Sequence, residues 1–398
     1  MMKRTFAKFK YRLIIIAGLV MQIAWYGLLW SRMILFPAVS RPSDFSIFYT
    51  AGRIAASGHI SQVFNLQSQL AVQEKLLGST FPITQVLPFN HPPLLVPLLQ
   101  LISTQDYMAS YWRWVLIMVC FLVAAMLVIN QLLRAVQWDK GSRSLYILCC
   151  VMFYPIFVGL LKGQDTAFLL LGVVIWFYGL VTRKDALAGL GLALTVIRPQ
   201  IALVLAVPFL FNGRRVWWWF LAGAVILGIY SLALVRLEGL RDFINLLKIS
   251  AVGQGFGMDQ NAMFNFTGMA LRLFPRVNIN IVHIAAWGLF LAAAIGLSIL
   301  WKVSPEIQYR HIVLAVAVSI FAAPHLHYHD LILLLVPIIG LMIVLVKAGR
   351  LKAIGAAALT VLISVVWMVG EAWDPSRLTF PYLLMIGLPA LTWFYETH

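Results

Sequence analysis

The stretch YMASYWRWVLIMVCFLVAAMLVINQLL, residues 107–133, decides the fold class of this 398-residue chain. It carries a single charged residue, Arg113, and it exceeds the ~20 residues that an α-helix needs to cross a bilayer. Comparable apolar runs recur along the chain, at 13–36, 144–161, 165–182, 216–235, 281–301, 331–346 and 353–370. A bilayer core cannot hydrate backbone groups, so such runs fold as helices that satisfy their own hydrogen bonds. The sequence predicts an all-α polytopic membrane protein.

The composition supports the same class. Hydrophobic residues make up 62% of the chain and charged residues 11%, whereas a soluble domain is roughly half apolar and a quarter charged. The net charge is +16, but the basic residues form short clusters between apolar runs, which is typical of a membrane protein oriented by its loops. A nucleic-acid partner would need these residues on one soluble face. We therefore expect membrane lipids, and no nucleic acid, as partners.

The positive-inside rule sets the topology. With Lys3–Arg12 in the cytoplasm, every short basic loop falls inside when the apolar runs are arranged as about 12 transmembrane helices. The predicted spans are 13–36, 107–133, 144–161, 165–182, 186–198, 200–212, 216–236, 281–301, 311–323, 331–346, 353–370 and 379–395. The whole chain, 1–398, is expected to form one membrane domain with long outer loops at about 37–106 and 237–280.

The first outer loop is expected to contain helices that lie along the membrane. Val63, Leu66, Leu70 and Leu77 recur at helical spacing opposite polar side chains such as Gln73, which indicates an amphipathic helix at the bilayer surface. The apolar segment 91–103 is short and rich in proline. It is predicted to be re-entrant or in-plane, because counting it as a span would invert every later loop.

Under this topology, five groups of polar residues share the outer face. Ionisable residues at membrane edges usually face a cavity or a pathway. The groups are Asp44, the pair Gln164 and Asp165, Arg198, Asn261, and the cluster of His325, His327, His329 and Asp330.

Each group also has a simpler interpretation. Asp44 could be the N-cap of a helix, and Arg198 could belong to a structural ion pair. The histidine cluster could bind zinc, but no cysteine or HExxH motif accompanies it. We expect no metal and no other cofactor.

Several motifs, in this order, resemble glycosyltransferase family 87, which includes the polyprenyl-phosphate-mannose-dependent mannosyltransferases of actinobacteria. The first, DFSIFYTAGRIAASGHISQVFN (44–65), is similar to the family's opening pattern with Asp44 and Tyr49. The others are FNHPPLLVPLL (89–99), GQDTAFLLLGVVIW (163–176), AGLGLALTVIRPQIALVL (188–205), QNAMFNFTGMALRLF (260–274) and APHLHYHDLILLLVP (323–337). The chain departs from the family pattern at Arg198, where lysine is common, and at Asp165, where asparagine or serine is common.

The resemblance implies a type C glycosyltransferase fold, a polyprenyl-phosphate sugar donor, an extracytoplasmic active site and inversion at the anomeric carbon. It makes Asp44 the essential aspartate, which we interpret as the general base. The other expected roles are donor-phosphate binding by Arg198, His325, His327 and His329, and sugar or acceptor binding by Gln164, Asp165, Asn261 and Tyr49.

The expected activity is transfer of a hexose, with mannose as the leading candidate, to a lipid or glycolipid acceptor. We expect a monomer in a bacterial plasma membrane. A transporter or lipid flippase is the alternative, although the inverted repeats typical of transporters are not visible. A non-enzymatic assembly protein is a further hypothesis, but it would not need Arg198 and the histidines near the membrane.

Overall fold

The computed structural model describes residues 2–36, 44–252, 260–373 and 379–398, which form helices and no strand. The α-helices of these residues are α1 (Met2–Leu35), α2 (Phe45–Ala56), α3 (Leu66–Leu77), α4 (Val96–Ile102), α5 (Tyr107–Ala135), α6 (Lys140–Val151), α7 (Tyr154–Lys162), α8 (Thr166–Val181), α9 (Asp185–Leu194), α10 (Pro199–Ala206), α11 (Arg214–Val252), α12 (Phe266–Leu273), α13 (Ile279–Val303), α14 (Tyr309–Ala322), α15 (Leu335–Lys347), α16 (Ala353–Trp373) and α17 (Phe380–Thr397). Short 3-10 helices lie at Ile60–Gln62, Ile83–Gln85, Pro93–Leu95, Thr195–Ile197, Val207–Leu210, Gln260–Ala262 and Tyr328–Leu334.

Several of these helices are long and apolar enough to cross a membrane, which confirms the polytopic class. In the described residues, six spans qualify, and a seventh does if α6 and α7, which meet at 47°, count as one bent span. The six are Phe9–Leu35, Tyr107–Ala135, Arg214–Ile249, Ile279–Val303, Tyr328–Lys347 and Ala353–Trp373. The number twelve stays a prediction, because four of the predicted spans fall on apolar helices of 10–17 residues.

Arg198 and Pro199 separate the two predicted spans 186–198 and 200–212 in the structure. The apolar segments that result are Asp185–Ile197 and Pro199–Leu210, and they meet at Arg198. Each rises less than the ~30 Å of hydrocarbon. Arg198 therefore lies between two half-length helices inside the helical bundle.

The segment Tyr328–Lys347 is at the centre of the molecule. Eighty-nine per cent of its most apolar window is buried, against 17% for Phe9–Leu35. Its neighbours include α14, α16 and α17. His329 and Asp330 belong to the start of this central segment, and His325 and His327 come just before it. The cluster is therefore held by the best-packed part of the fold.

Glycines bring α8 and α9 together closely. A Cβ atom on Gly191 would lie 2.5 Å from the backbone nitrogen of Trp176, and one on Gly179 would lie 2.4 Å from that of Ala188. Small residues at such crossings allow backbones in a bilayer to pack directly against each other. This pair of helices positions both Asp165, just before α8, and Arg198, just after the 3-10 helix that follows α9.

The first outer loop contains the predicted helix, but part of its polar face is buried. Gln69 and Gln73 of α3 are buried. Gln69 accepts a hydrogen bond from the backbone of Phe89, and Gln73 exchanges two with the backbone of Leu87. The helix therefore packs its polar side on the protein, while Leu77 is exposed.

The segment 91–103 forms the Pro93–Leu95 turn and α4, and this apolar helix of residues Pro93–Ile102 is one of the short ones. Ten residues rise only about 15 Å. That length is half of a bilayer core. It suits the predicted re-entrant or in-plane element.

The second predicted outer loop, 237–280, is largely helical where the structure describes it. Helix α11 continues to Val252, but the backbone of Arg236 leaves the helical region at φ 58° and ψ −176°. The part before Arg236 is long enough to span a bilayer. The part after it packs against the Ile60–Gln62 and Pro93–Leu95 turns. Loop two therefore begins with a helix that closes over the first outer loop.

Candidate active site

A cavity of about 670 Å³ lies where α2, the α7–α8 connection, α11, α13 and the histidine segment meet. The polar residues that line it are Asp44, Asn90, His91, Gln164, Arg198, Gln200, Lys248, Gln260, Thr267, His283, His325, His327, Tyr328, His329 and Asp330. The cavity thus collects four of the five groups predicted for the outer face.

Gly163 brings Gln164 to Asp44. It ends α7 in the left-handed conformation, with φ 69°, and a Cβ atom at this position would lie 2.7 Å from the Cβ of Phe45. The close approach allows Gln164 Nε2 to donate a hydrogen bond of 2.8 Å to Asp44 Oδ2. Gln164 Oε1 is buried and has no partner among the described residues. The amide of Gln164 is therefore held by Asp44.

The carboxylate of Asp44 is available for chemistry. Asp44 occupies the N-cap position of α2, but its side chain makes no capping hydrogen bond. The nearest ionisable neighbour in an ion pair is His329, whose Nδ1 lies 3.8 Å from Asp44 Oδ2. The side chain is 39% exposed to the cavity. The simpler interpretation, in which the carboxylate of Asp44 caps a helix, is therefore not supported.

Arg198 sits in a buried ion cluster. Its Nη2 donates to Asp165 Oδ1 at 2.8 Å, and its Nε donates to Asp330 Oδ1 at 3.0 Å. His91 Nδ1 lies 2.9 Å from Asp165 Oδ2 and 3.0 Å from Arg198 Nη1. The three charged side chains are at most 8% exposed. The cluster joins four separate segments of the chain, so it fixes the floor of the cavity.

His325, His327 and His329 follow one another along the cavity wall. The ring centroids of His325 and His327 are 4.7 Å apart, and those of His327 and His329 are 5.7 Å apart. Burial, together with the neighbouring histidines, lowers the pKa of His327 to about 4 and the pKa of His325 well below its ordinary value. Both rings are therefore uncharged at neutral pH. They can offer hydrogen bonds to a substrate but no full positive charge.

Three of the predicted site residues do not line the cavity or have no described side chain. Asp165 is fully buried, pairs with Arg198 and does not line the cavity. Tyr49 is buried, and its hydroxyl donates to the backbone carbonyls of Thr104 and Gln105 instead of facing the cavity. Its burial raises the pKa of the phenol. The backbone of Asn261 belongs to the Gln260–Ala262 turn beside the cavity, but its side chain lies outside the described residues.

The structure adds residues that the motifs did not single out. His91 joins the Arg198 cluster, and its only signal in the sequence is its place before the prolines of segment 91–103. Lys248, Gln260 and His283 line the cavity from the second outer loop and α13, and His283 Nε2 lies 3.1 Å from Gln260 Oε1. In the described residues, no group of three or more His, Cys, Asp or Glu side chains has the geometry to hold a metal ion.

The fold and the cavity define a polytopic membrane protein with a carboxylate-bearing site at the helix ends. The sequence model of glycosyltransferase family 87 matches residues 89–326, more than half of the chain. The chain belongs to glycosyltransferase family 87 and is a membrane glycosyltransferase. No curated protein and no solved structure matches the chain significantly. The matched region contains Gln164, Asp165, Arg198 and His325, whereas Asp44 precedes it and His327 follows it.

Proposed function

We propose that the protein is an inverting glycosyltransferase that moves a hexose from a polyprenyl-phosphate donor to a lipid or glycolipid acceptor on the extracytoplasmic face. Mannose is the leading candidate for the sugar. The observation that carries the proposal is the carboxylate of Asp44, which faces the cavity and is oriented by Gln164. The proposed localisation is a bacterial plasma membrane.

In the proposed reaction, Asp44 takes the proton from an acceptor hydroxyl while the oxygen of that hydroxyl attacks the anomeric carbon. The bond between this carbon and the phosphate oxygen breaks, and the polyprenyl phosphate leaves with the bonding electrons. Attack from the opposite face inverts the anomeric centre. One carboxylate suffices, because phosphate is stable as an anion and does not need the acid that protonates an alkoxide leaving group in glycosidases. In this proposal the uncharged histidines, which line the cavity, donate hydrogen bonds to the leaving phosphate.

A groove next to the cavity supports a lipid-linked donor. It has a volume of about 500 Å³, runs between Pro199–Leu210 and α13, and shares Leu203 and Phe290 with the cavity. Its lining is apolar except for Ser298 and Lys302. A hydrocarbon chain in this groove would keep contact with the bilayer while its phosphate reaches the cavity.

The ends of the helices support an extracytoplasmic site. Helix α11 starts at Arg214 and Arg215 and reaches the cavity only beyond Arg236. Helix α13 contributes His283 and Trp287 near its start and ends beyond Lys302. Basic loops of membrane proteins face the cytoplasm. In this protein Arg214, Arg215 and Lys302 lie at the helix ends remote from the cavity.

The test is transfer from labelled polyprenyl-phosphate mannose to lipid acceptors by the purified full-length chain in lipid nanodiscs. We expect a glycolipid product from the wild type, with and without EDTA, and loss of at least a hundredfold in rate for Asp44→Asn. Asp242→Asn is the control, because Asp242 belongs to the second predicted outer loop and does not line the cavity. Near-normal transfer by Asp44→Asn would refute the assignment of the base. Movement of labelled lipid across proteoliposomes without product would favour the transporter or flippase.

A further inference from the structure

The cavity presents few positive charges to an anionic substrate. Its charged lining residues are Asp44, Arg198, Lys248 and Asp330. Arg198 already donates to Asp165 and Asp330, so this buried trio has a formal charge of −1. Asp44 adds a second negative charge. A lipid phosphate that carries a sugar is an anion and gains charge as it leaves, so it needs a cation that these carboxylates have not already neutralised.

Lys248 meets this requirement. It is exposed and lines the cavity, and the structure gives its ammonium group no ion pair or hydrogen bond to any described residue. Lysine carries three N–H donors on a flexible stem, and it binds phosphate as a point charge. Its stem allows the ammonium group to follow the phosphate as the bond to the sugar breaks.

The fold of α11 explains why Lys248 faces the cavity. After the break at Arg236, the helix packs on the Ile60–Gln62 and Pro93–Leu95 turns. Ile244, Leu247 and Lys248 then share one helical face, because residues three and four apart lie on the same side, and all three line the cavity. Leu247 and Ile244 give this face an apolar surface beside the lysine. An amphiphilic ligand would meet both an apolar wall and a cation here.

The cavity that Lys248 lines shares Leu203 and Phe290 with the apolar groove. The α13 residues that line the cavity are His283, Trp287 and Phe290, and Phe290 continues into the groove. A donor with its chain in the groove and its sugar near Asp44 would have its phosphate between these two regions. The positive charge of Lys248 and the connection between cavity and groove therefore both favour a lipid-linked phosphate as the ligand.

We propose that Lys248 supplies the positive charge that binds the phosphate of the lipid-linked donor, beside the hydrogen bonds of the uncharged histidines, while the Arg198 cluster holds the floor of the cavity in place. The inference rests on the proposed function, and it assigns the donor's phosphate to the second outer loop. The ionic contact forms on binding and strengthens as the departing phosphate gains its second negative charge.

The experiment compares a charged and an uncharged competitor in the transfer assay. A short-chain isoprenyl phosphate and the corresponding isoprenol are titrated against the wild type, Lys248→Gln, Lys248→Arg and Lys75→Gln in nanodiscs. Lys75 is the matched control, because it is exposed on α3 in the first outer loop and does not line the cavity. Lys248→Met is a second neutral variant, and thermal unfolding checks that each variant is folded.

For Lys248→Gln we expect a KM for the donor raised at least tenfold and inhibition by isoprenyl phosphate weakened at least tenfold. Inhibition by isoprenol should stay unchanged. Lys248→Arg should retain most of the discrimination between the two competitors, and Lys75→Gln should behave as the wild type. A folded neutral variant that still prefers the phosphate as strongly as the wild type overturns the inference alone. A wild type that transfers no sugar from any lipid-phosphate donor overturns the proposed function instead.

Discussion

At the scale of single residues, His327 makes the stability of the protein depend on pH. The pKa of His327 is lowered to about 4, because its ring is buried and His329 lies beside it, whereas Asp44 and Asp330 act in the opposite direction. The ring titrates near 6.5 in an unfolded chain. Between these values the unfolded chain binds more protons, so the free energy of unfolding falls as the pH drops below about 6.5.

We expect His327→Gln to reduce this loss. The contribution of His327 is about 2 kcal/mol at pH 5 if its pKa differs by about two units or more between the two states. Thermal unfolding in detergent at pH 7.5 and pH 5 measures it, with the exposed His59 replaced by Gln as the control. Equal losses of stability at pH 5 in the wild type and in His327→Gln would contradict the prediction.

Single residues of the site could be predicted where the sequence departs sharply from its surroundings. Asp44, Gln164 and Arg198 are polar positions next to apolar runs, and the structure places all three in one cavity. Their partners could not be predicted in the same way. The contacts of Arg198 with Asp165 and Asp330 join residues far apart in the chain, and only the three-dimensional fold decides which carboxylate reaches which guanidinium.

At the scale of secondary structure, the end of α7 controls the distance between Gln164 and Asp44. We expect Gly163→Ala to lower the stability and the transfer rate more than Gly78→Ala does, although both glycines have nearly the same φ, 69° and 68°. Gly78 has open space around it, whereas a Cβ on Gly163 would lie 2.7 Å from that of Phe45. The shared left-handed conformation costs about 1–2 kcal/mol in either variant.

The clash adds a second cost only in Gly163→Ala, because α2 or the α7–α8 connection must move. We expect a further loss of about 1–3 kcal/mol and a fall in transfer rate of at least tenfold, since Gln164 would no longer orient Asp44. Thermal unfolding and the transfer rate of both variants check this. If Gly78→Ala lost as much activity as Gly163→Ala, the contact with Phe45 would not control the site.

Secondary structure could be predicted wherever one period of apolar residues continued without interruption, as in α5 and α16. The prediction was weaker where proline or tertiary contacts intervened. Gln73 and Gln69 of α3 look like solvated side chains in the sequence, but they hydrogen-bond to the backbone at 87 and 89. Predicted loop 237–280 contains the end of α11, because its apolar face packs on the first outer loop.

At the scale of the whole molecule, the site lies where helices of different lengths meet. The long span α13 lines it with His283, Trp287 and Phe290, and shorter helices end at Arg198 within it. A bundle of full-length spans would leave no room for a cavity at the helix ends, because packed side chains would fill it. The short helices thus create the space, and the buried ion cluster supplies the polar partners that their ends require.

The groove beside the cavity tests whether the whole bundle is built for a lipid-linked substrate. We expect Ala294→Trp to obstruct the groove, because Ala294 is one of its lining residues and is only partly exposed. From Phe290 to Lys302, α13 rises about 18 Å, so a long hydrocarbon chain would contact the new indole while a very short one would not. The expected result is a KM raised at least tenfold for a long-chain donor and little changed for a short-chain donor.

Ile284→Trp is the control, because Ile284 is 74% exposed on the same helix and lines neither the groove nor the cavity. If Ala294→Trp raised both KM values equally, the indole would be disturbing the cavity itself, and the groove would not hold the donor's chain.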